Sequence, residues 1–281
     1  MDRTSPAMNE NVGSSTMSSS DFIIFMVCAY GYAWAAGAIT ILLSVPFNMV
    51  QVVATPGPIL GAFVVVFRRD GISGIRNLLR RAFRWRFSPI LYLVALLIPF
   101  LVLAASSGVA IVVNGAAVPD PWFLPDFTIP FLIGFLIWNG VTEEVGWRGY
   151  LLPRVQDKVG SLAASVLVGV IWACWHLPLF IIPGSYQYGT SFAEYVLILV
   201  SLTIIMAMLY NKAQGSVIVT ILLHEAQNFI AFTIVHPNGA GFYTMPFYLL
   251  FALAAIFFLP RPLAEIGRKP VQTEFDEKEE S

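Results

Sequence analysis

Three short clusters of polar and ionisable side chains interrupt the apolar runs of this 281-residue chain, and a charge buried in lipid or in an apolar core is costly enough to be retained mainly for function. The first is Asn139-Gly140-Val141-Thr142-Glu143-Glu144-Val145-Gly146-Trp147-Arg148, the second Trp172-Ala173-Cys174-Trp175-His176-Leu177-Pro178, the third His224-Glu225-Ala226-Gln227-Asn228. On a helix, Glu144 and Arg148 share a face and pair, because residues four apart are neighbours. Glu143 is turned by about 100° and left free for other work. His224 and Asn228 have the same spacing and project together. A carboxylate and an imidazole polarise a water, while a histidine and an asparagine donate to a developing oxyanion. This division of labour suits hydrolysis of an acyl bond, with Glu143, His176, His224 and Asn228 as candidate catalytic residues and Glu144 and Arg148 in support.

The same residues admit a metal. Glu143, His176 and His224 are acceptable ligands for zinc, the one candidate cofactor. The stretch from His224 to Asn228 matches H-E-x-x-H only superficially, since Asn228 stands where the second imidazole is required. His236, beside Pro237, reads as an interfacial histidine, and Glu225 as a residue on a helix face next to the site. Cys28 and Cys174 lie within apolar runs and read as small packing residues.

Such clusters need helices long enough to hold them at one depth. Residues are 57% hydrophobic and 12% charged, with a mean hydropathy of +0.75, whereas soluble domains carry about a quarter charged residues. The sequence predicts an all-α polytopic membrane bundle of about eight spans, near 22–45, 47–67, 89–114, 128–150, 161–182, 194–213, 215–236 and 242–260, each about 20 residues long as a ~30 Å core demands. Thr55-Pro56-Gly57-Pro58 should kink or break the second. Counting roughly 1.5 Å per residue from the basic ends puts Glu143, His176 and His224 at similar depth, about 18–22 Å in.

All sixteen Lys and Arg fall on one side of this arrangement, seven of them, from Arg68 to Arg86, between the second and third spans. The loops near 115–127, 183–193 and 237–241 have none, so both termini should be cytoplasmic and the protein a multi-pass protein of the cell membrane. Ile72, Ile75, Leu79 and Phe83 fall on one face of a basic amphipathic helix expected to lie on the anionic leaflet. Residues 1–20 read as a disordered tail, 21–261 as the membrane domain, and 262–281 as an acidic cytoplasmic tail. No basic domain suggests nucleic acid as a partner.

Glu143-Glu144-x-x-x-Arg148, Trp172-x-x-x-His176 and His224-x-x-x-Asn228, in this order, resemble the three motifs of the CPBP (Abi) family. That family includes the type II CAAX prenyl endopeptidases and the bacteriocin-processing or immunity proteins. Gly146-Trp147-Arg148-Gly149-Tyr150-Leu151-Leu152-Pro153 and Trp175-His176-Leu177-Pro178 also resemble the family signature. The likeness covers roughly residues 55–235, with its core at about 125–235. It implies an intramembrane endopeptidase in which Glu143 and His176 act on the attacking water, while His224 and Asn228 stabilise the oxyanion. Membrane-associated substrates, including prenylated CAAX-type proteins, are the implied partners. The family is often labelled metallopeptidase, and the motifs suit a metal-free glutamate protease equally. Trp172 departs from a position more often occupied by Phe, a change between aromatic residues. Intramembrane Glu, His and Arg also build proton pathways in transporters, and a non-catalytic immunity scaffold could keep the same motifs. The paired broken helices of repeated transporter halves have no counterpart in this sequence.

Overall fold

Within hydrocarbon a backbone must satisfy its own hydrogen bonds, which leaves helices for a chain whose apolar runs are this long. The computed structural model describes residues 17–44, 53–123 and 138–258, and the described part is an all-α helical bundle of polytopic membrane type. α1 (Ser19–Leu43) opens on a capping box in which Ser18 and Asp21 satisfy each other's backbone N–H groups. Ser18, expected in a tail, is therefore the N-cap, and Ser19 and Ser20 belong to the first helix; residues 1–16 lie outside the described part.

α2 (Gly57–Ala82) starts where Pro56-Gly57-Pro58 allows a helix to begin but not to continue from upstream. Hydropathy ends this span at residue 67, yet the helix runs on through the arginines, broken only at Gly71 with φ 61° and ψ −156°. That backbone geometry is accessible to glycine and strained for other residues. Past the break, Gly74, Leu78 and Ala82 form the buried row, while Ile72 and Phe83, expected on the apolar face, are exposed. The predicted segment 47–67 is described only from residue 53 onward, and 128–150 only from 138.

α3 (Ile90–Asn114) follows the expected span closely and ends on Gly115 in a left-handed cap. Residues 138–144 are helical and pass without interruption into a π-helical segment, Val145–Leu151, and then α4 (Leu152–Val159). α5 (Ser161–Trp175) is shorter than the predicted 161–182. Pro178 biases its predecessor away from helix and cannot itself continue the ladder, so the chain turns at His176 into a 3-10 turn, Leu177–Phe180. α6 (Phe192–Lys212), α7 (Ile218–Thr233) and α8 (Ala240–Ile256) complete the set.

Among the described residues, α1, α3 and α6 are long and apolar enough to cross a membrane, and α5, α7 and α8 are shorter apolar helices. α6 is buried all round from Ser201 to Asn211, as expected of a helix at the centre of a bundle, and it packs against α5, α7 and α8. Gly169 makes the α5–α6 approach close, since a Cβ there would stand 2.7 Å from the Val200 Cα. Leu42, Leu43, Leu101 and Val112, by contrast, turn outward and are exposed. α1 is locked to α5 by three cross-helix bonds. Trp34 Nε1–H donates to the Trp175 carbonyl at 3.0 Å, Trp175 Nε1–H to the Ala29 carbonyl at 2.9 Å, and the Tyr30 hydroxyl to the Ile171 carbonyl.

Candidate active site

Glu143 and Glu144 are the last residues before the backbone widens into the π-helical turn, a distortion often found at functional sites. Gly146 permits it to sit against α2, because any Cβ there would collide with Pro58. The two carboxylates then diverge. Glu143, 4% exposed, faces a cavity of about 170 Å³, and its Oε2 accepts a 2.7 Å hydrogen bond from Trp172 Nε1–H. Glu144 is fully buried, and its Oε1 accepts from both Arg148 Nη1 at 2.7 Å and His224 Nδ1–H at 2.9 Å. Arg148 is equally buried, donates from Nη2 to Thr203 Oγ1 at 3.0 Å, and lies 4.0 Å from the Trp172 ring centroid.

The histidines arrive from different elements with their tautomers set by what Nδ1 touches. His176 caps the end of α5 and donates Nδ1–H to the Trp172 carbonyl at 2.8 Å, which leaves Nε2 as the acceptor atom. Its ring is packed edge-on against Trp175 and Tyr195. His224, on α7, donates Nδ1–H to a carboxylate, again freeing Nε2. Asn228 follows one turn later and lines the same cavity.

Of the six candidate residues, Glu143, His176, His224 and Asn228 all line this cavity, while Glu144 and Arg148 form the expected ion pair behind it. His236 is not among the lining residues. The Glu225 carboxyl is buried against the Gly140 backbone. Both cysteines are free thiols. Among the described residues no three His, Cys, Asp or Glu side chains converge as a metal site. One oxygen of Glu143 and Nε2 of each ring carry none of these hydrogen bonds, so the group keeps the donor atoms that zinc uses, each ring oriented through its other nitrogen. Sequence reasoning missed the donor role of Trp172 and the Glu144–His224 bond. The first had a signal in the chain, an indole N–H where Phe would offer none.

Residues 125–230 match the family model of Rce1-like type II CAAX prenyl endopeptidases. The resemblance drawn from the three motifs holds, and every candidate residue falls inside the Rce1-like segment. CAAX prenyl protease 2 of Methanococcus maripaludis is similar to this chain, 33% identical over 111 residues. That stretch is 36% of this chain and spans about two-fifths (39%) of the relative's length. α1, α2, α3 and α8 lie outside the family match, although Ala33 and Gly37 of α1 and Thr55 just before α2 line the cavity.

Proposed function

We propose that this protein is an intramembrane endopeptidase that hydrolyses a peptide bond of a membrane-associated, prenylated CAAX-type substrate. The observation that carries the reading is the meeting of Glu143, His176, His224 and Asn228, from three separate segments, on the wall of one cavity. Glu143 and the free Nε2 of His176 act as acceptors for the protons of a bound water. Its hydroxide adds to the scissile carbonyl carbon as a proton passes to the acceptor pair. The oxyanion then takes hydrogen bonds from Nε2–H of His224, protonated on both nitrogens and held by Glu144, and from the Asn228 amide. Collapse breaks the C–N bond, the proton goes to the leaving amine, and one water is consumed. Trp172 is a positioning residue for Glu143, and Glu144 one for His224.

The cavity lining is mostly apolar and includes Leu199, Leu202 and Met206 of α6, which suits a substrate bearing an isoprenoid next to the bond to be cut. The test is cleavage of a farnesylated CAAX peptide by purified protein in liposomes, read by mass spectrometry. Release of the C-terminal tripeptide by the wild type, and none by Glu143→Gln of equal thermal stability, is expected. An inactive wild type, or a Glu143→Gln protein as active as wild type, would overturn the proposal.

A further inference from the structure

Residues 71–88 carry five arginines, Arg76, Arg80, Arg81, Arg84 and Arg86, and no Asp or Glu. All five are exposed, and among the described residues no carboxylate forms an ion pair with any of them. They alternate with apolar side chains that are equally open, Ile72 at 70%, Phe83 at 40% and Trp85 at 63% exposure. Ile72, Arg76 and Arg80 share the face of α2 opposite its buried row of Gly74, Leu78 and Ala82. Beyond α2, the Tyr92 hydroxyl donates to the Trp85 carbonyl at 2.6 Å, and the Arg86 guanidinium lies 4.9 Å from the Trp85 ring centroid. Ile90, four residues after Arg86, begins α3, which is long and apolar enough to cross a membrane. The patch therefore stands at the depth of lipid headgroups, where arginine meets phosphate and tryptophan is enriched. Charge alone suits any acidic partner; that depth and the interleaved apolar side chains select a phospholipid.

The buried side of the same segment reaches the catalytic helix. The Ala82 carbonyl accepts from the Val217 backbone N–H at 2.8 Å, and Val217 is the N-cap of α7, which carries His224 and Asn228. Leu78 and Val217 both close on Gly149 of the π-helical turn, where an added Cβ would stand 3.7 Å and 3.3 Å from their side chains. We propose that the arginine-rich end of α2 binds anionic phospholipid headgroups, and that their binding steadies the seat of α7 and raises turnover. The second half of the proposal rests on the endopeptidase reading; the first does not.

The experiment uses the full-length protein, with phosphatidylglycerol as the probe. Native mass spectrometry of detergent-purified protein gives its affinities for phosphatidylglycerol and phosphatidylcholine, and wild type should prefer the former. Each arginine near an anionic surface is worth about fivefold. Arg76→Gln/Arg80→Gln/Arg84→Gln should therefore lose on the order of 10²-fold in phosphatidylglycerol affinity. Lys212→Gln, which removes an exposed cation at the end of α6, should not. In liposomes, wild type should cleave a farnesylated CAAX peptide with higher kcat when phosphatidylglycerol is mixed into phosphatidylcholine, and the triple variant with the same kcat in both. Equal phosphatidylglycerol affinity in wild type and triple variant overturns the lipid site. So does binding that appears only after truncation at residue 261, which would give the patch to the acidic residues 274–280. A wild-type kcat that ignores phosphatidylglycerol overturns the link to α7. A peptide cleaved in neither lipid fails at the endopeptidase reading and removes that link with it, while the affinities still decide the lipid site.

Discussion

Glu144 serves two masters, and separating them is the sharpest test of how the site is built. Glu144→Gln preserves shape but removes the charge that pairs with Arg148 at 2.7 Å and orients His224 at 2.9 Å. Both Glu144 and Arg148 have no exposed surface, so the variant leaves a buried guanidinium without its paired carboxylate, with the Thr203 hydroxyl, the Trp172 ring and the Glu143 carboxylate still near it. Breaking a buried pair from one side costs about 3–5 kcal/mol, and at roughly 2–4 °C per kcal/mol for a chain near this size the melting temperature should fall by about 10 °C. Arg148→Met in the same protein removes the stranded charge, and swaps of a whole buried pair for apolar groups are often neutral. Glu144→Gln/Arg148→Met should therefore recover most of the lost stability. It should not recover activity, because His224 still lacks the carboxylate that fixes its Nδ1–H. Differential scanning fluorimetry and peptide cleavage on the same liposome preparations give both readouts. A double variant that regains wild-type turnover along with stability would refute the orienting role and reduce Glu144 to a strut.

Trp172→Phe keeps the ring under Arg148 but deletes the N–H that holds Glu143 at 2.7 Å, and kcat/KM should fall about ten- to a hundredfold with a melting temperature lower by several degrees, one hydrogen bond to a carboxylate being worth about 1.5–3 kcal/mol; activity within twofold of wild type would discount the contact. Asn228→Ala should lower turnover by about 10²–10³, the worth of one oxyanion donor, with metal content unchanged by elemental analysis; stoichiometric zinc whose removal and return switch activity off and on would reject activation of water by Glu143 and His176 alone. Cysteines introduced at residues 68–88 and 150–160, in a chain lacking Cys28 and Cys174, should label only from the cytoplasmic side, and one at residue 120 only from outside; a cytoplasmic label at 120 would overturn the eight-span topology.

Spacing along one helix was legible, contact between helices was not. Glu144–Arg148 follows from a four-residue interval, and the structure contains it. Glu144–His224 joins residues 80 positions apart, and no periodicity tells which neighbour a second carboxylate will face. Hydropathy locates α3, α6, α7 and α8 within a few residues but ends the second span at residue 67, because it weighs side chains. The helix continues to Ala82 on backbone bonds that arginines do not disturb, with Gly74, Leu78 and Ala82 giving it a buried seam. By hydropathy His176 sits in the interior of a span, whereas Pro178 makes it the end of one. That ending has a chemical consequence. At the close of α5 the Trp172 carbonyl is free of a helical partner four residues on, since the His176 backbone N–H bonds Ala173 instead, and it takes the imidazole Nδ1–H of His176. A neutral acceptor therefore fixes His176, while a carboxylate fixes His224. In the proposed mechanism this difference in partner assigns the roles. A ring anchored on a carbonyl offers a bare Nε2 to water, and a ring anchored on Glu144 has a counter-charge for the second proton it must carry to meet an oxyanion.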